Sequence, residues 1–521
     1  MKATISIIIF LLFYFISVSQ QSKFSKVYFD NNFEVKSNGM AKSNDGGLIV
    51  CGEYDSNASV FKIDSLGIVQ WAYQIGSSQI GKFSSILRTN DSCYVLIGNI
   101  TTSSSNKLDF YIVKIDPNGN VIWAKTIYRT ADQMAISLQE TFDGGFIVTG
   151  SETLSIAQNP KILLIKLNTI GDVDWYECLN GGNFEDYGIS VKQTPDSGFA
   201  LIGVTMHNAV FQGYGLLCKL SQSGTVQWSN KYHENLFTSI GYDLVVANDG
   251  IYSNYDSFNG RFLVKTGYNG IDIWRKAVAA NNPRFICPIC IGEKLKLLSD
   301  GNLLLTSGVN YFPYSSLLIK LDTAGNYIWS KSILNSVHGV DEADDGGFFL
   351  LGNGPFDWDT NNSSKPFTGI IKSDPFGNAD ICTSPESTVV ISNGNITQDT
   401  LMVTATSFVA NSTLIFPVIT TFSLHERTSC IDASGEIVEN VPYTINLYPV
   451  PNESTLNIKL TGWTYIIELQ IVDVIGQIVF KKEYNMSTQN EIKIDHDFAS
   501  GVYSAIIYSN REPMTSKFVV R

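Results

Sequence analysis

The residues of this chain that could do chemistry do not gather into a recognisable catalytic motif. The five His, at 207, 233, 338, 425 and 496, are scattered, and no His-Glu-x-x-His, nucleophile elbow, phosphate-cradling Gly loop or sialidase-type Asp box occurs. Cys287 and Cys290 form a Cys-x-x-Cys pair, but no second pair follows at zinc spacing, so a local disulfide or plain packing is expected there. Asp357, Asp359 and Asn361 alternate like the start of a calcium loop, yet the Gly and distal Glu of that motif are missing. Carboxylates are plentiful, but most fall in repeated turns, and none stands out as an acid and base pair for glycoside cleavage. No catalytic residue, cofactor or metal is assigned.

A second kind of chemistry, recognition by aromatic faces, has better candidates. Phe211, Tyr255, Phe258, Tyr311, Phe312, Tyr314 and Trp358, with Phe356, stand among Asn and Ser in the stretches 206–213, 253–260, 309–315 and 353–367. Aromatic rings beside amides suit stacking on sugars or gripping a peptide, although loop aromatics also fold back as local packing. What decides their role is the framework that carries these loops.

That framework is a repeat. Lys-x-Asp-x-x-Gly-x-x-x-Trp returns about every fifty residues as Lys62-Asp64-Gly67-Trp71, Lys114-Asp116-Gly119-Trp123, Lys166-Asn168-Gly171-Trp175, Lys219-Ser221-Gly224-Trp228, Lys265-Gly267-Gly270-Trp274 and Lys320-Asp322-Gly325-Trp329. A seventh copy, Lys372-Asp374-Gly377, lacks the Trp. An Asp-Gly-Gly turn recurs ahead of it at Asp45, Asp143, Asp300 and Asp345, with looser copies at Asp91, Asp196 and Asp249. Self-similarity at this period marks a propeller or solenoid. Each unit reads as four short strands with Gly- and Asp-rich turns, so the expectation is an all-β, seven-bladed β-propeller over residues 20–381. Spreading residues 24–380 over seven units gives about 51 residues per blade, ample for four strands. Because the seventh unit has no outer Trp strand, Phe24-Ser25-Lys26-Val27-Tyr28-Phe29 is expected to supply it and close the ring. The six Trp, at 71, 123, 175, 228, 274 and 329, then read as packing between blades rather than as machinery. Strand alternation puts the short Asp-headed turns on one face and the longer loops between second and third strands on the other, making the long-loop face the expected binding surface.

Composition agrees with this class. Of 521 residues 44% are hydrophobic, 12% aromatic and only 16% charged, with 42 Gly, which favours strands and turns around a large core. The net charge of -13 and the lack of any basic run exclude nucleic acid and anionic membranes as partners. Residues 1–19, with Lys2, an apolar run from Ile5 to Val18 and small residues before Gln20, read as a secretory signal peptide. No later apolar stretch is long enough to span a bilayer, so a soluble exported chain, monomeric, is expected. Cys51, Cys93, Cys178 and Cys218 lie in or beside strand-like runs and read as buried free thiols, while Cys382 and Cys430 bracket a segment that a bridge could close.

The repeat resembles that of Trp-docked, quinoprotein-like propellers, whose units end in a similar Asp, Gly and Trp arrangement. The likeness implies fold and not chemistry, since the vicinal Cys pair and eight blades of quinoprotein dehydrogenases have no counterpart here. After the repeats, residues 382–440 read as a β-rich connector. Residues 441–521 carry several short alternating strands and read as a small C-terminal β-sandwich. Their landmarks are Tyr448-Pro449-Val450-Pro451, Asp473 with Gly476, Gly501 with Tyr503, and Lys517 before a β-branched end. In order and spacing they resemble the type A sorting domain of type IX secretion. That resemblance implies a protein of the phylum Bacteroidota, passed through the periplasm and then, by the type IX machinery, to the cell surface or medium. The functional expectation is an exported propeller that binds a glycan or protein through its long-loop face; the alternative is a secreted polysaccharide hydrolase or lyase on the same scaffold.

Overall fold

The structure is a computed structural model that describes residues 23–521, apart from 281–293, 354–366 and gaps of one to six residues between strands and at the C-terminus. For 383–448 it describes the backbone and, among side chains, Leu424. The signal-peptide reading of 1–19 lies outside the described residues. Every regular element among them is a strand, and none is a helix long and apolar enough to cross a membrane.

Seven antiparallel sheets follow one another along 24–372, each built from four consecutive strands except the last. Blade 1 covers 35–75, blade 2 81–128, blade 3 132–180, blade 4 186–233, blade 5 239–280, blade 6 295–333 and blade 7 337–372. Blade 7 has three strands of its own, and its fourth is Phe24–Phe29, paired antiparallel with Thr368–Lys372 from Phe24 opposite Lys372 to Tyr28 opposite Thr368. The innermost strands of neighbouring blades touch all the way round, and the first meets the last: Asn353 Oδ1 accepts from the Ser37 backbone N–H at 2.9 Å, and Lys42 pairs with Asp344 at 2.6 Å. The result is a closed seven-bladed β-propeller.

The recurring letters of the repeat each have a local job. In six blades the motif Asp, or its substitute, caps a tight turn; Asp64 Oδ1, for example, accepts the Leu66 and Ile68 N–H groups at 2.9 Å. The motif Gly follows with φ between 74° and 84°, a left-handed conformation that side chains resist. The motif Lys reaches back to the first turn of its own blade. Lys62–Asp45, Lys114–Asp91, Lys166–Asp143, Lys219–Asp196, Lys265–Asp249, Lys320–Asp300 and Lys372–Asp345 are ion pairs at 2.5–3.0 Å, one in every blade. These pairs tie the third strand to the turn between the first and second.

The turn carboxylates should set the acid limit of the fold. Partial burial alone would raise the carboxyls of Asp91, Asp143 and Asp196, but hydrogen bonds from the paired Lys, from Thr89, Thr141 or Thr194, and from a turn N–H bring them down to about 2. Unfolded Asp titrates near about 3.9. A carboxyl depressed in the folded state stabilises fully above that value, and the contribution is lost as pH falls from about 4 towards 2. The thermal midpoint is therefore expected to be level above about pH 4.5 and to drop by several degrees between pH 4 and 2. Replacing Lys114, Lys166 and Lys219 by Met together should flatten that acid drop, which scanning calorimetry across the pH series would read.

Between blades, each Trp indole lies on the motif Gly of the next blade. A Cβ on Gly119 would sit 3.2 Å from the Trp71 ring, one on Gly171 2.8 Å from Trp123, and one on Gly377 2.9 Å from Trp329. At the closing seam Phe24 takes this place, 2.9 Å from a Cβ on Gly67. Tyr28 Oη and Lys26 Nζ also donate to the Gly67 carbonyl, at 2.8 and 3.1 Å. The same strand positions in blade 4 carry Trp228, Asn230 and Tyr232, of which Asn230 Nδ2 donates to the Gly270 carbonyl at 2.8 Å. Phe24 thus stands where the seventh Trp would.

Within residues 382–440, read from sequence as a connector, the strands between Thr383 and Ile431 form a belt around the ring. Thr383–Ser384 pairs with the outer strand of blade 6, Val389–Asn393 with blade 5, Thr397–Thr400 with blade 4, Thr404–Ser407 with blade 3, Asn411–Ile415 with blade 2, Ile419–Thr421 with blade 1, and His425–Ile431 with Phe24–Phe29 of blade 7. All seven pairings are antiparallel, and each belt strand begins opposite the last residue of its outer strand. From Thr383 to His425 is six steps of seven residues on average, and seven extended residues cover about 23 Å. Adjacent strands twist by about 20–25°, so the fifth strand of a blade lies nearly crosswise to the first. A single extended segment can therefore pass from blade to blade without turning back. The belt covers outer-strand edges that would otherwise offer unpaired backbone groups, and the chain divides into two compact units between Ile437 and Val438, after the belt.

Among the described cysteines, Cys51 and Cys218 are buried free thiols, whereas Cys93 and Cys178 are free and only half-buried. Cys287, Cys290 and Cys382 lie outside the described residues. The terminal unit is a sandwich of a three-stranded sheet (Thr444–Tyr448, Thr455–Thr461, Glu491–Asp495) and a four-stranded one (Ile466–Val472, Ile478–Asn485, Gly501–Tyr508, Met514–Val520). Leu456, Ile458, Ile492 and Ile494 of the first meet Leu469, Ile471, Ile507 and Phe518 of the second in one core.

Candidate functional site

The innermost strands wall a cavity of about 520 Å³. Blade 3 contributes Gln139 and Phe142, blade 4 Lys192, Gln193 and Pro195, blade 5 Asp243 and Val245 to Asn248, blade 6 Lys294 to Leu297, and blade 7 Val340. Phe142, Pro195 and Asn248 belong to the turns after the innermost strands, so the cavity lies at the short-turn end of the ring. Its size is that of small-ligand sites in general, about 300–1,000 Å³.

The repeat makes its wall legible position by position. Four residues before the turn Asp, the seven blades carry Ala41, Leu87, Gln139, Lys192, Val245, Lys296 and Asp341; six before it they carry Gly39, Ser85, Ser137, Ser190, Asp243, Lys294 and Gly339. Residues two apart in a strand share a face. Charge at these levels is confined to blades 4 to 7, and blades 1 to 3 present small, apolar or uncharged polar groups.

Within the charged arc, Lys296 is taken up by an ion pair with Asp341. Asp243 is almost fully buried, with Oδ1 accepting the Leu244 N–H at 2.9 Å and Oδ2 the Leu295 N–H at 3.2 Å. Lys192 and Lys294 have no ion pair among the described residues. Burial pushes the Lys192 ammonium below its ordinary range; Asp243 opposes this, and Lys294 and Lys296 add to it. His338, the extra residue of a β-bulge in the innermost strand of blade 7, is held neutral by burial, its pKa brought down to about 4 with Lys294 also lowering it. Innermost strands of blades 1 to 5 bulge at the matching residues Asn38, Ser84, Ile136, Ile189 and Tyr242, a device that re-aims side chains. No group of three or more His, Cys, Asp or Glu among the described residues is placed to hold a metal.

The aromatic candidates from sequence fare differently. Phe211, Phe258, Tyr311, Phe312, Tyr314 and Trp358 lie outside the described residues, as do Asp357, Asp359 and Asn361. Tyr255 is described and is corrected: it sits in the strand Gly250–Ser257, not in a loop, and is 0% exposed. Its ring packs 4.6 Å from that of Tyr232, in space that Gly215 leaves open, where a Cβ would come within 2.4 Å. It belongs to the core. Lys192, Asp243, Lys294 and Phe142 were not singled out from sequence; the signal available was charge at positions that carry none in blades 1 to 3 and, for Phe142, an aromatic at a position where no other blade has one.

In the terminal unit, Tyr503 is nearly buried and its hydroxyl donates to the Ala499 carbonyl at 2.8 Å, closing the Gly501 turn region onto the strand. Asp473 heads a turn in which its Oδ1 accepts the Gln477 N–H at 2.9 Å. Lys517 lies in the last strand, opposite Ser504. Pro449, Pro451 and Gly476 lie outside the described residues.

The fold class is thus a belted seven-bladed propeller with an axial cavity, followed by a β-sandwich. Residues 446–521 match the family described as secretion system C-terminal sorting domain, which supports export and recognition of this unit by type IX secretion machinery. No curated protein matches the chain. Among solved structures, the chain is similar to a crystal structure of a protein of unknown function from Dyadobacter fermentans DSM 18053, at 8% identity and a TM-score of 0.37, covering 67% of this chain and 98% of that one.

Proposed function

We propose that this is an exported, non-catalytic binding protein, displayed on the cell surface or released, whose propeller holds a glycan or protein ligand and whose terminal unit is the sorting signal. The observation that carries the reading is the axial cavity, a ligand-sized recess in a ring held from its seam to its perimeter by backbone pairing. Of the carboxylates on its wall among the described residues, Asp341 is taken up by Lys296 and Asp243 is committed to two backbone N–H groups. Both are therefore poorly suited to be the general acid or base that glycoside cleavage needs in a pair. The long-loop aromatics other than Tyr255 belong to this proposal as a further contact surface.

Screening the purified protein against a glycan array, with assay of released sugar on the same panel, tests it. Retention of at least one glycan class without release is the expected outcome. Turnover would replace this reading with that of a polysaccharide hydrolase or lyase.

A further inference from the structure

We propose that the axial cavity is selective for an acidic saccharide, its carboxylate held between Lys192 and Lys294 and its ring against Phe142; this rests on the binding reading above and names the class of ligand. The argument begins with charge. The chain carries 36 Lys and Arg against 49 Asp and Glu, and seven of its Lys are neutralised by the repeated turn pairs. Two partly buried ammonium groups, Lys192 and Lys294, line one cavity without an ion pair among the described residues. Both face a region where Lys296 and Asp341 cancel and Asp243 is the single further carboxylate. One negative group placed among them would relieve their mutual repulsion and make charge-assisted hydrogen bonds.

The rest of the wall narrows the anion. Phe142 is 69% exposed at the cavity rim, at a turn position held by Asn44, Asn90, Pro195, Asn248, Ser299 and Asp344 in the other blades. Its backbone is fixed, since its N–H donates to Gln193 Oε1 at 2.7 Å across the blade boundary. An exposed ring on a held backbone suits the C–H face of a sugar. Gln139 and Asn248 add amides for hydroxyls, and Leu297 and Val340 add apolar wall. Inorganic phosphate would use the ammonium groups alone. A uronic acid uses all of these at once.

Titration calorimetry of the full chain with a galacturonic acid disaccharide, its methyl ester and inorganic phosphate decides the matter. The acid is expected to bind, with the methyl ester at least ten-fold weaker. Lys192→Met and Lys294→Met should each weaken the acid at least ten-fold, Lys→Arg at either site should retain most of it, and Phe142→Ala should weaken acid and ester alike. Equal affinity for acid and ester would overturn the selectivity while leaving the binding reading in place. Failure of the acid to bind at all would overturn the assignment, and an array without any hit would remove the binding reading as well. Displacement of the acid by phosphate at comparable concentration would overturn the saccharide part. Because the acid and ester comparison is made on the unaltered protein, it stands even if a variant fails to fold.

Discussion

Deleting residues 23–29 is expected to lower the thermal midpoint by well over 10 °C, or to prevent the ring from closing. The strand Phe24–Phe29 is paired on both edges, with Thr368–Lys372 on one side and with the belt at His425 to Thr428 on the other. Its loss leaves blade 7 with three strands and cuts the last belt pairing at the same stroke. It also empties the seam, where Phe24 and Tyr28 are buried against Phe61, Phe349 and Leu351. Phe24→Ala isolates the seam alone. Truncating a buried aromatic costs about 3–5 kcal/mol, which for a ring of this size corresponds to about 4–7 °C. Phe24→Trp restores the residue found in the other six units and should keep the midpoint near that of the parent. Differential scanning calorimetry of the three variants checks this; an unchanged midpoint in the deletion would show that the seam does not hold the ring.

The second large effect concerns the belt. A chain ending after residue 440 keeps Ile437–Glu439, the last strand of the blade 7 sheet, loses only the sorting unit and should keep its midpoint within about 2 °C. A chain ending after residue 382 loses the belt as well and uncovers the outer edge of all seven blades at once. Open strand edges are templates for pairing with other chains, so this truncation should aggregate on warming and melt at least about 10 °C lower. Light scattering alongside calorimetry separates the two consequences. If the shorter chain stays monodisperse with the midpoint of the longer one, the belt contributes nothing to stability.

Much of the ring could be read from the residues because its determinants are local. A turn that needs positive φ at Gly119 or Gly325, and an Asp that caps it, are visible in a ten-residue window. The missing Trp after Gly377 pointed to Phe24 because one strand position was left unfilled. The belt could not be read so. Its strands are two to seven residues long, and each pairs with an edge up to about 400 residues away in sequence, so nothing in their own pattern names the partner. The Lys of the motif was likewise opaque, because its Asp lies 16 to 27 residues upstream and only the blade brings them together. The cavity was hidden for the opposite reason. Repetition draws the eye to Trp and Gly, whereas Lys192 and Lys294 matter through being unlike their counterparts. Tyr255 misled because Asn254 and Ser257 beside it resemble a loop, while the space it fills is made by Gly215, forty residues earlier.

The course of the belt also determines how the molecule answers a pull. The belt visits the blades in the order 6, 5, 4, 3, 2, 1, 7, and the sorting unit begins a few residues after its last strand. Tension applied through that unit therefore meets Ile437–Glu439 on His425–Ile431 first and then the junction of His425–Ile431 with Phe24–Phe29, and the six further short strands peel one after another, so that blade 7 is loaded before the other blades. The perimeter acts as a row of small fuses between the sorting unit and the ring.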